Sequence, residues 1–249
     1  MSPVRLEIDA PVARITLDRP EVLNAGDAGW VAELGEAVAR VAAAGERLRV
    51  AVVTGAGRAF CTGVDLNALA AGNMTLPRFV AWEDAMTAIE RMPLPFIAAI
   101  NGHCLGGGLQ LALVCDYRIA SAEASIGLPA VKECLIPSMA LYRLPRLIGA
   151  GRAAELVITG EPISAARAEE YGLVHRVVPS MDFARTVDEC VERFLALPRT
   201  SVAWSKRLMA RAFDLDFDAF RRQMETGFAD CLASPEHRAA MDDIRRRRR

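Results

Sequence analysis

The chain has 249 residues, 52% of them hydrophobic, and a formal net charge of −1. This composition supports a substantial buried core and excludes a globally disordered chain. The near balance of positive and negative side chains gives no electrostatic basis for binding nucleic acid, so no nucleic-acid partner is expected. The arginine run at 245–249 departs from that balance, and we interpret it as a solvated chain end.

Three features of the sequence indicate a cytoplasmic protein. The opening residues, MSPVRLEIDAP, contain no apolar segment like that of a secretory signal. The longest stretch without Asp, Glu, Lys or Arg, 92–115, is interrupted by prolines and glycines, so no membrane span is expected. The six cysteines are scattered without a C-x-x-C pair, and the three histidines lie far apart. We therefore expect a reducing compartment, no membrane partner and no bound metal.

Hydrophobic patterning predicts alternating strands and helices along the first 180 residues or so. Strands are predicted at 4–8, 12–17, 49–54, 96–100 and 117–120. Helices are predicted at 31–44, 79–92 and 109–114. From residue 182 the pattern is almost entirely helical. These patterns predict an α/β core in residues 1–195 and a helical C-terminal region in residues 196–249.

The segment NGHCLGGGLQ, residues 101–110, places three consecutive glycines between a predicted strand and a predicted helix. Glycine has no Cβ, so a ligand can approach the backbone closely, and the N–H groups at a helix start attract negative charge. Such a turn suits a phosphate or a developing oxyanion. A tightly packed strand–helix turn would use the same residues, and this segment alone does not separate the two interpretations.

The common phosphate and hydrolase motifs are absent from the sequence. Neither 102–108 nor 55–60 has the spacing G-x-G-x-x-G, and no Gly-Lys pair is available for a Walker loop. G-x-S-x-G and H-E-x-x-H are also missing. A nucleotide-dependent oxidoreductase is therefore disfavoured. His103 and His175 lie beside or within predicted strands, and we expect structural or substrate-lining roles for them.

A second glycine-containing turn, AFCTGVDL at residues 59–66, follows another predicted strand. Two such turns can direct two N–H donors at one oxygen, which is how enzymes stabilise a thioester enolate or a tetrahedral oxyanion. The two turns together therefore favour the oxyanion interpretation of the glycine run.

Five segments, in order, resemble the crotonase superfamily, the enoyl-CoA hydratase/isomerase family. They are RPEVLNA (19–25), AFCTGVDL (59–66), NGHCLGGGLQLALVCDYRIA (101–120), SIGLPAVKECLIP (125–137) and GRAAELVITGEPISAARAEEYGLVHRVVP (151–179). The resemblance implies an α/β spiral of ββα units with a helical C-terminal oligomerisation region, assembled as a homotrimer or homohexamer. It also implies a lyase or isomerase that uses an acyl-CoA thioester as its substrate, with no bound cofactor.

Positions carried over from the family assign the N–H groups of Val64 and Gly107 to an oxyanion hole. The glycine run would then let the thioester carbonyl touch the backbone at a helix start. The resemblance also implies substrate contacts at Val22, Leu23, Ala25, Thr62, Gly63, Asp65, Leu66, Gly106, Pro129, Ala130 and Leu135. The candidates for the wall of the acyl pocket, which ordinary core packing would explain equally well, are Leu69, Met74, Phe79 and Trp82.

The chain departs from the family at the two glutamates that hold water in the hydratases. Their positions carry Gln110 and Ala130. A glutamine can hold a water molecule but cannot accept a proton at neutral pH, and an alanine can do neither. Ser138 stands where related dehalogenases and dienoyl-CoA isomerases carry an aspartate. We therefore expect very weak hydration of crotonyl-CoA.

Glu133 is the first candidate for a replacement base, and a surface or interface salt bridge is its alternative role. Ser138 is a candidate for orienting a water or a substrate oxygen. Asp65, Glu83 and Asp84 are further carboxylates near the predicted site.

The alternatives within the superfamily are a decarboxylase, a C–C lyase or an isomerase. Decarboxylation or C–C cleavage can form the enolate with little acid or base from the protein, whereas the family's common isomerases often use a glutamate at the position of Ala130, so this residue counts against them. An inactive acyl-CoA-binding protein would need no acid or base.

Overall fold

In the computed structural model, which describes residues 2–247, ten strands form two sheets. The strands are Val4–Asp9 (β1), Val12–Leu17 (β2), Val50–Gly55 (β3), Ala59–Cys61 (β4), Phe96–Ile100 (β5), His103–Leu105 (β6), Tyr117–Ser121 (β7), Ser125–Gly127 (β8), Ile163–Ser164 (β9) and Arg176–Val178 (β10). The large sheet has the order β1-β2-β3-β5-β7-β10, and the small sheet has the order β4-β6-β8-β9. Only the β1–β2 and β8–β9 pairs among these strands are antiparallel.

Eleven helices connect and cover the strands within the same residues. They are Ala28–Ala44 (α1), Leu66–Ala70 (α2), Leu76–Arg91 (α3), Gly107–Leu113 (α4), Ala140–Ile148 (α5), Ala150–Thr159 (α6), Ala165–Glu170 (α7), Ser180–Leu195 (α8), Arg199–Met209 (α9), Phe217–Ala233 (α10) and Pro235–Arg247 (α11). Short 3-10 turns lie at Pro20–Val22, Gly45–Arg47 and Pro129–Glu133.

Long and short strands alternate along the chain in a repeated unit. β3, β5 and β7 lie in the large sheet, and each is followed by a short strand of the small sheet, β4, β6 or β8. The next element is α2, α4 or the 3-10 turn Pro129–Glu133. The predicted spiral of ββα units is thus confirmed. Because β4 and β6 are parallel neighbours, the turns that follow them lie side by side.

The central strands β3 and β5 of the large sheet are buried on both faces, which explains their continuous apolar runs. Ala51 and Val53 of β3 belong to the hydrophobic cluster that includes α1 and α3. Val50 and Val52 of the same strand belong to the cluster on α8. Successive side chains of a strand point to opposite faces, so β3 joins the two clusters.

Helices α1, α3 and α4 all begin earlier than the hydrophobic spacing predicts, and the residues at the N-termini of α1 and α3 explain their early starts. α1 begins at Ala28 because Asp27 caps it, accepting the N–H of Trp30 at 2.9 Å. α3 begins at Leu76, with Pro77 in its first turn, where a missing N–H is tolerated. The strands of the small sheet have only two or three residues, which is too short to display a period, and the sequence patterns do not predict them.

His175 differs from its predicted position in a strand. It lies in the loop just before β10, where its Nδ1 accepts the N–H of Arg118 at 3.1 Å and its ring stacks on Tyr117, 4.5 Å away. These contacts give it the structural role that the sequence predicts.

The C-terminal helices leave most of their surface exposed. Only Gly227 is buried among the residues of α10, and none is buried in α11. Phe217, Phe228 and Leu232 of α10 are each more than half exposed. The division into residues 1–195 and 196–249 remains a prediction.

The arginine run at the C-terminus is described only in part. Arg245 and Arg247 form ion pairs on α11, 2.9 and 2.7 Å long. Arg248 and Arg249, which belong to the predicted solvated end, lie outside the described residues. Between residues 2 and 247, no helix combines the length and the hydropathy that crossing a bilayer requires.

Candidate functional site

Two glycines pack the turns after β4 and β6 against each other. A Cβ on Gly63 would lie 2.8 Å from the backbone nitrogen of Gly107, and one on Gly107 would lie 3.4 Å from Cα of Gly63. Gly63 also has a φ of +93°, which residues with a Cβ rarely adopt. A Cβ on Gly107 would in addition lie 2.7 Å from the ring of Trp82. The close approach of the two turns therefore depends on glycine at both positions.

The N–H groups of Val64 and Gly107, one in each turn, have no acceptor within residues 2–247. Gly107 is the first residue of α4, where backbone N–H groups have no intrahelical acceptor. The neighbouring N–H groups of Asp65 and Gly106 donate to carbonyl oxygens, each at 2.9 Å. The chain thus leaves two hydrogen-bond donors unused where the two turns meet.

A cavity of about 120 Å³ adjoins this pair of donors. The predicted site residues that line it are Thr62, Val64, Leu66, Gly106, Gly107, Gln110, Pro129, Ala130, Glu133, Leu135 and Ser138. The structure therefore brings most of the predicted catalytic and binding residues to one place.

The predicted contacts outside the cavity lining are Val22, Leu23, Ala25, Gly63 and Asp65. Leu23 still lies beside the cavity, because its carbonyl oxygen accepts the N–H of Thr62 at 3.2 Å. The carboxylate of Asp65 caps α2 by accepting two backbone N–H groups of that helix. It also lies 3.3 Å from a guanidinium nitrogen of Arg19. These contacts give Asp65 a structural role.

Helix α3 supplies the apolar wall of the cavity through Phe79, Trp82 and Met86. Trp82 and Met86 are buried, and Phe79 is partly buried. Two predicted wall residues, Leu69 and Met74, do not line the cavity. Both pack in the main hydrophobic cluster instead. For these two residues, the alternative of ordinary core packing is the correct one.

Gln110 and Ala130 both line the cavity. Gln110 is 9% exposed, and its Oε1 is buried without a hydrogen-bond partner among residues 2–247. Ala130 is partly buried in the turn Pro129–Glu133. Neither side chain can exchange a proton at neutral pH.

Glu133 is the one carboxylate among the residues that line the cavity, and it is exposed. Within the described part of the chain its side chain makes no ion pair or hydrogen bond, whereas the adjacent Lys132 pairs with Glu161 at 2.7 Å. Within one subunit, Glu133 therefore does not form the salt bridge that is its alternative role. Its carboxylate lies exposed at the cavity without a partner among the described residues.

Ser138 connects the cavity to a group of charged residues that sequence reasoning recognised only in part. Its Oγ donates to Oε2 of Glu83 at 3.3 Å, and Oε1 of Glu83 lies 2.7 Å from Nη2 of Arg143. The same Nη2 lies 2.9 Å from Oε2 of Glu90. Burial favours a neutral Arg143, but hydrogen bonds to Glu90 and Glu83 outweigh it and raise the pKa of the guanidinium. The sequence offered no signal for Arg143, because its partners belong to another helix.

The thiol beside the site is inert. Cys61 ends β4, immediately before Thr62, and it is completely buried. Burial raises the pKa of Cys61 to about 12, against a smaller opposing effect of the Gly63 N–H. The thiol is therefore protonated at neutral pH and is not a nucleophile.

A second cavity, of about 290 Å³, lies between α5 and α9. Its lining includes Arg143, Arg146 and Lys206, with Glu90 and Asp116 as their neighbours. It lacks the pair of unused N–H donors, so the smaller cavity is the candidate site.

The ββα spiral with two facing backbone donors defines an α/β protein of the crotonase type. The sequence model of the enoyl-CoA hydratase/isomerase family matches residues 7–246. The chain belongs to this family, whose members are enzymes that act on acyl-CoA thioesters.

Individual relatives agree with this assignment. (E)-Benzylidenesuccinyl-CoA hydratase of Thauera aromatica is 37% identical over 230 residues, which cover 87% of this chain and 85% of the relative. The structure of an enoyl-CoA hydratase from Mycobacterium smegmatis superposes with a TM-score of 0.92 at 30% identity, covering 99% of this chain and 97% of the other. A structure from Thermobifida fusca YX, solved in complex with CoA, superposes with a TM-score of 0.83 at 31% identity and covers 93% of both chains.

Proposed function

We propose that this enzyme binds an acyl-CoA thioester with the carbonyl oxygen between the N–H groups of Val64 and Gly107. The observation that carries the proposal is the pair of unused donors on two closely packed turns that line one cavity. Two donors directed at the carbonyl oxygen stabilise the negative charge that develops there as an enolate forms.

The remaining contacts are proposed from their positions around this pair. The acyl group extends along the apolar wall of Phe79, Trp82 and Met86. The CoA portion lies towards Leu23 and Thr62, which are joined by a backbone hydrogen bond from the N–H of Thr62 to the carbonyl oxygen of Leu23. The thioester is the substrate, and this chemistry calls for no bound cofactor.

The reaction that we propose is an enolate-forming one, catalysed by a lyase or an isomerase, with only weak hydration of crotonyl-CoA. The weak hydration is supported by the absence of a carboxylate at positions 110 and 130, where Gln110 and Ala130 line the cavity. Relatives that are named hydratases make enoyl-CoA thioesters the first class to test. A decarboxylase or C–C lyase fits the same two residues, because loss of a carbon group forms the enolate without a protein base.

An acyl-CoA-binding protein without activity is the second candidate. Ala130 favours it, because a methyl group can neither hold water nor move a proton. Such a protein would use the same two N–H donors to bind the thioester carbonyl.

Hydrogen exchange in heavy water tests the proposal. The protein is incubated in D₂O with saturated, enoyl, β-hydroxy and malonyl-type CoA thioesters, products are analysed by mass spectrometry, and unreactive thioesters are tested for binding by calorimetry. We expect deuterium uptake at the α-carbon of at least one thioester, or its turnover. Tight binding without either result would instead support the acyl-CoA-binding protein.

We further propose that the protein is a homotrimer or homohexamer in the cytoplasm. The exposed Phe217, Phe228 and Leu232 on α10 support a subunit interface there. All six cysteines are free, in keeping with a reducing compartment.

A further inference from the structure

Ser138 contacts the cavity on one side and a carboxylate on the other. It lines the cavity, and its Oγ donates to Oε2 of Glu83 at 3.3 Å. Glu83 directly follows Trp82 on α3, the residue whose ring lies against Gly107. One turn of α3 therefore carries both the wall next to an unused N–H donor and the carboxylate behind Ser138.

The contacts of Oε1 fix the orientation of the Glu83 carboxylate. Oε1 lies 2.7 Å from Nη2 of Arg143 and accepts the hydroxyl of Thr87 at 3.4 Å. Oε2 has Ser138 as its hydrogen-bond partner within residues 2–247. The side chains of Arg143 and Glu83 are only 9% and 16% exposed, which strengthens their mutual attraction. Because Arg143 holds Oε1, the second carboxylate oxygen of Glu83, Oε2, is directed towards Ser138.

The charges of Glu83, Glu90 and Arg143 leave a carboxylate beside the cavity that can accept a proton. Glu83 and Glu90 share the single guanidinium of Arg143, so the three side chains together carry one negative charge when all are ionised. A hydroxyl has one hydrogen and two lone pairs. Because the hydrogen of Ser138 is directed to Glu83, its lone pairs are available to a ligand in the cavity. Gln110, which lines the same cavity, is a neutral amide and cannot take the proton.

We propose that Ser138 carries a proton between the α-carbon of the bound thioester and Glu83, and that Glu83 is the positioning residue that receives it. The inference rests on the proposed function, because it requires an acyl-CoA thioester in the cavity. It assigns the missing acid/base role to a carboxylate on α3, outside the two positions that carry Gln110 and Ala130.

The proton count closes without a further reactant. As the α-carbon–hydrogen bond breaks, its proton forms a bond to Oγ of Ser138, while the hydroxyl proton of Ser138 moves to Oε2 of Glu83. The electron pair of the broken bond enters the enolate, whose oxygen is held by the N–H groups of Val64 and Gly107. The reverse transfer restores the carboxylate and the hydroxyl and returns a proton to carbon. Glu83 is 16% exposed, so its proton can exchange with solvent between the two transfers.

The test compares E83Q, S138A and the double variant with the matched control D84N. Asp84 is the carboxylate next to Glu83 on α3, but it is exposed, does not line the cavity and makes no ion pair with Arg143 among the described residues. The assay is deuterium uptake at the α-carbon of butyryl-CoA in D₂O at saturating thioester, with the dissociation constant measured by calorimetry. We expect E83Q and S138A each to slow exchange by about 100-fold or more, as for loss of a positioned acid or base, without loss of binding.

Two further comparisons separate this relay from a structural effect. The double variant is expected to be no slower than the slower single variant, because residues that act as one unit are not additive. D84N is expected to keep the exchange rate of the wild type, because it removes a negative charge from α3 but leaves the contacts among Glu83, Arg143 and Ser138 in place. Should E83Q fail to fold, which circular dichroism would reveal, the comparison of S138A with D84N still tests the relay.

The outcomes distinguish the relay from the proposed function beneath it. Exchange at the wild-type rate in E83Q or S138A would overturn the relay and leave the proposed function standing. Loss of exchange in E133Q, with E83Q unaffected, would likewise overturn it and assign the proton to Glu133. A wild-type protein that binds the whole thioester series of the heavy-water screen without exchanging or converting any of it would overturn both.

Discussion

Gly63 and Gly107 determine how closely two backbone N–H donors approach a shared ligand. Neither position has room for a methyl group, since the nearest atoms to an added Cβ lie at 2.8 and 2.7 Å. These atoms belong to the backbone of Gly107 and to the buried ring of Trp82, and neither can move away easily. At the residue scale, the close approach of the two donors therefore depends on the absence of a side chain at Gly63 and at Gly107.

Substituting Gly63 with alanine should separate the two donors. The added methyl group would displace the Gly107 N–H, and loss of one oxyanion donor typically slows catalysis by about 10²–10³. We expect G63A to lose thioester turnover or exchange by that factor while remaining folded, as measured by mass spectrometry in D₂O. The control is G35A, because an added Cβ at Gly35 on α1 meets no atom within 4 Å. Full activity in G63A would contradict an oxyanion hole at this place.

The identities of Gln110 and Ala130 should limit water addition. We expect the wild type to hydrate crotonyl-CoA very slowly, and the double variant Q110E/A130E to hydrate it at least about tenfold faster, a small part of the roughly 10²–10⁴ that a positioned acid or base contributes. Loss of absorbance of the enoyl thioester measures both rates. Wild-type hydration at the rate of a dedicated hydratase would show that these two residues do not limit the reaction.

At the scale of elements, α9 is anchored to the core by one buried lysine. Nζ of Lys206 donates to the carbonyl oxygens of Ile89 and Leu94, at 3.1 and 2.9 Å, and lies 2.7 Å from Oδ2 of Asp116. Its side chain is 7% exposed. This single group joins the end of α3, the segment before β5 and the segment before β7, so it fixes the position of α9 on the core.

Replacing Lys206 with methionine should therefore lower stability. The variant removes the cation beside the partly buried carboxylate of Asp116 and one donor to the carbonyl oxygens of Ile89 and Leu94, and breaking a buried ion pair costs about 3–5 kcal/mol. We expect K206M to lower the free energy of unfolding by about 3 kcal/mol in urea titrations. The matched control is K132M, whose ion pair with Glu161 is exposed and should contribute less than about 1 kcal/mol. Equal effects of the two variants would argue against an anchoring role.

At the scale of the whole molecule, α10 and α11 contribute little to the core of one subunit. In α10, large apolar side chains face outward, including Phe217 at 78% and Phe228 at 63% exposure. Exposed apolar surface of this kind marks an interaction site. A second copy of the chain is the partner that the family suggests.

We therefore expect a mass of three or six chains in sedimentation equilibrium at micromolar concentration. F228D should weaken the assembly, because a carboxylate in an apolar interface loses its hydration. M181D is the control, since Met181 is also highly exposed but lies on α8. A monomeric wild type across the concentration range would refute the proposed assembly.

The sequence by itself determined the α/β class and the family, and it predicted most of the residues that line the candidate cavity. Alternating apolar residues identify β1 and β2, and the continuous apolar runs of β3 and β5 identify strands that are buried on both faces. The glycine turns and their neighbours are local features, so their positions can be found from the sequence. Val64, Gly107, Gln110 and Ala130 line one cavity, as the family resemblance implies.

Only the tertiary structure decided which charged side chains meet beside that cavity, behind Ser138. Glu83 lies on α3, Arg143 on α5 and Ser138 in the segment between the turn Pro129–Glu133 and α5. Helical spacing predicts which face of a helix is buried, but it does not specify which guanidinium pairs with which carboxylate on another helix. For the same reason the sequence left Leu69 and Met74 open between the wall of the acyl pocket and ordinary core packing, and the structure shows that they pack against the core. The tertiary packing determines both the ion pairs of Arg143 and the positions of Leu69 and Met74, because contacts between elements depend on the arrangement of the whole fold.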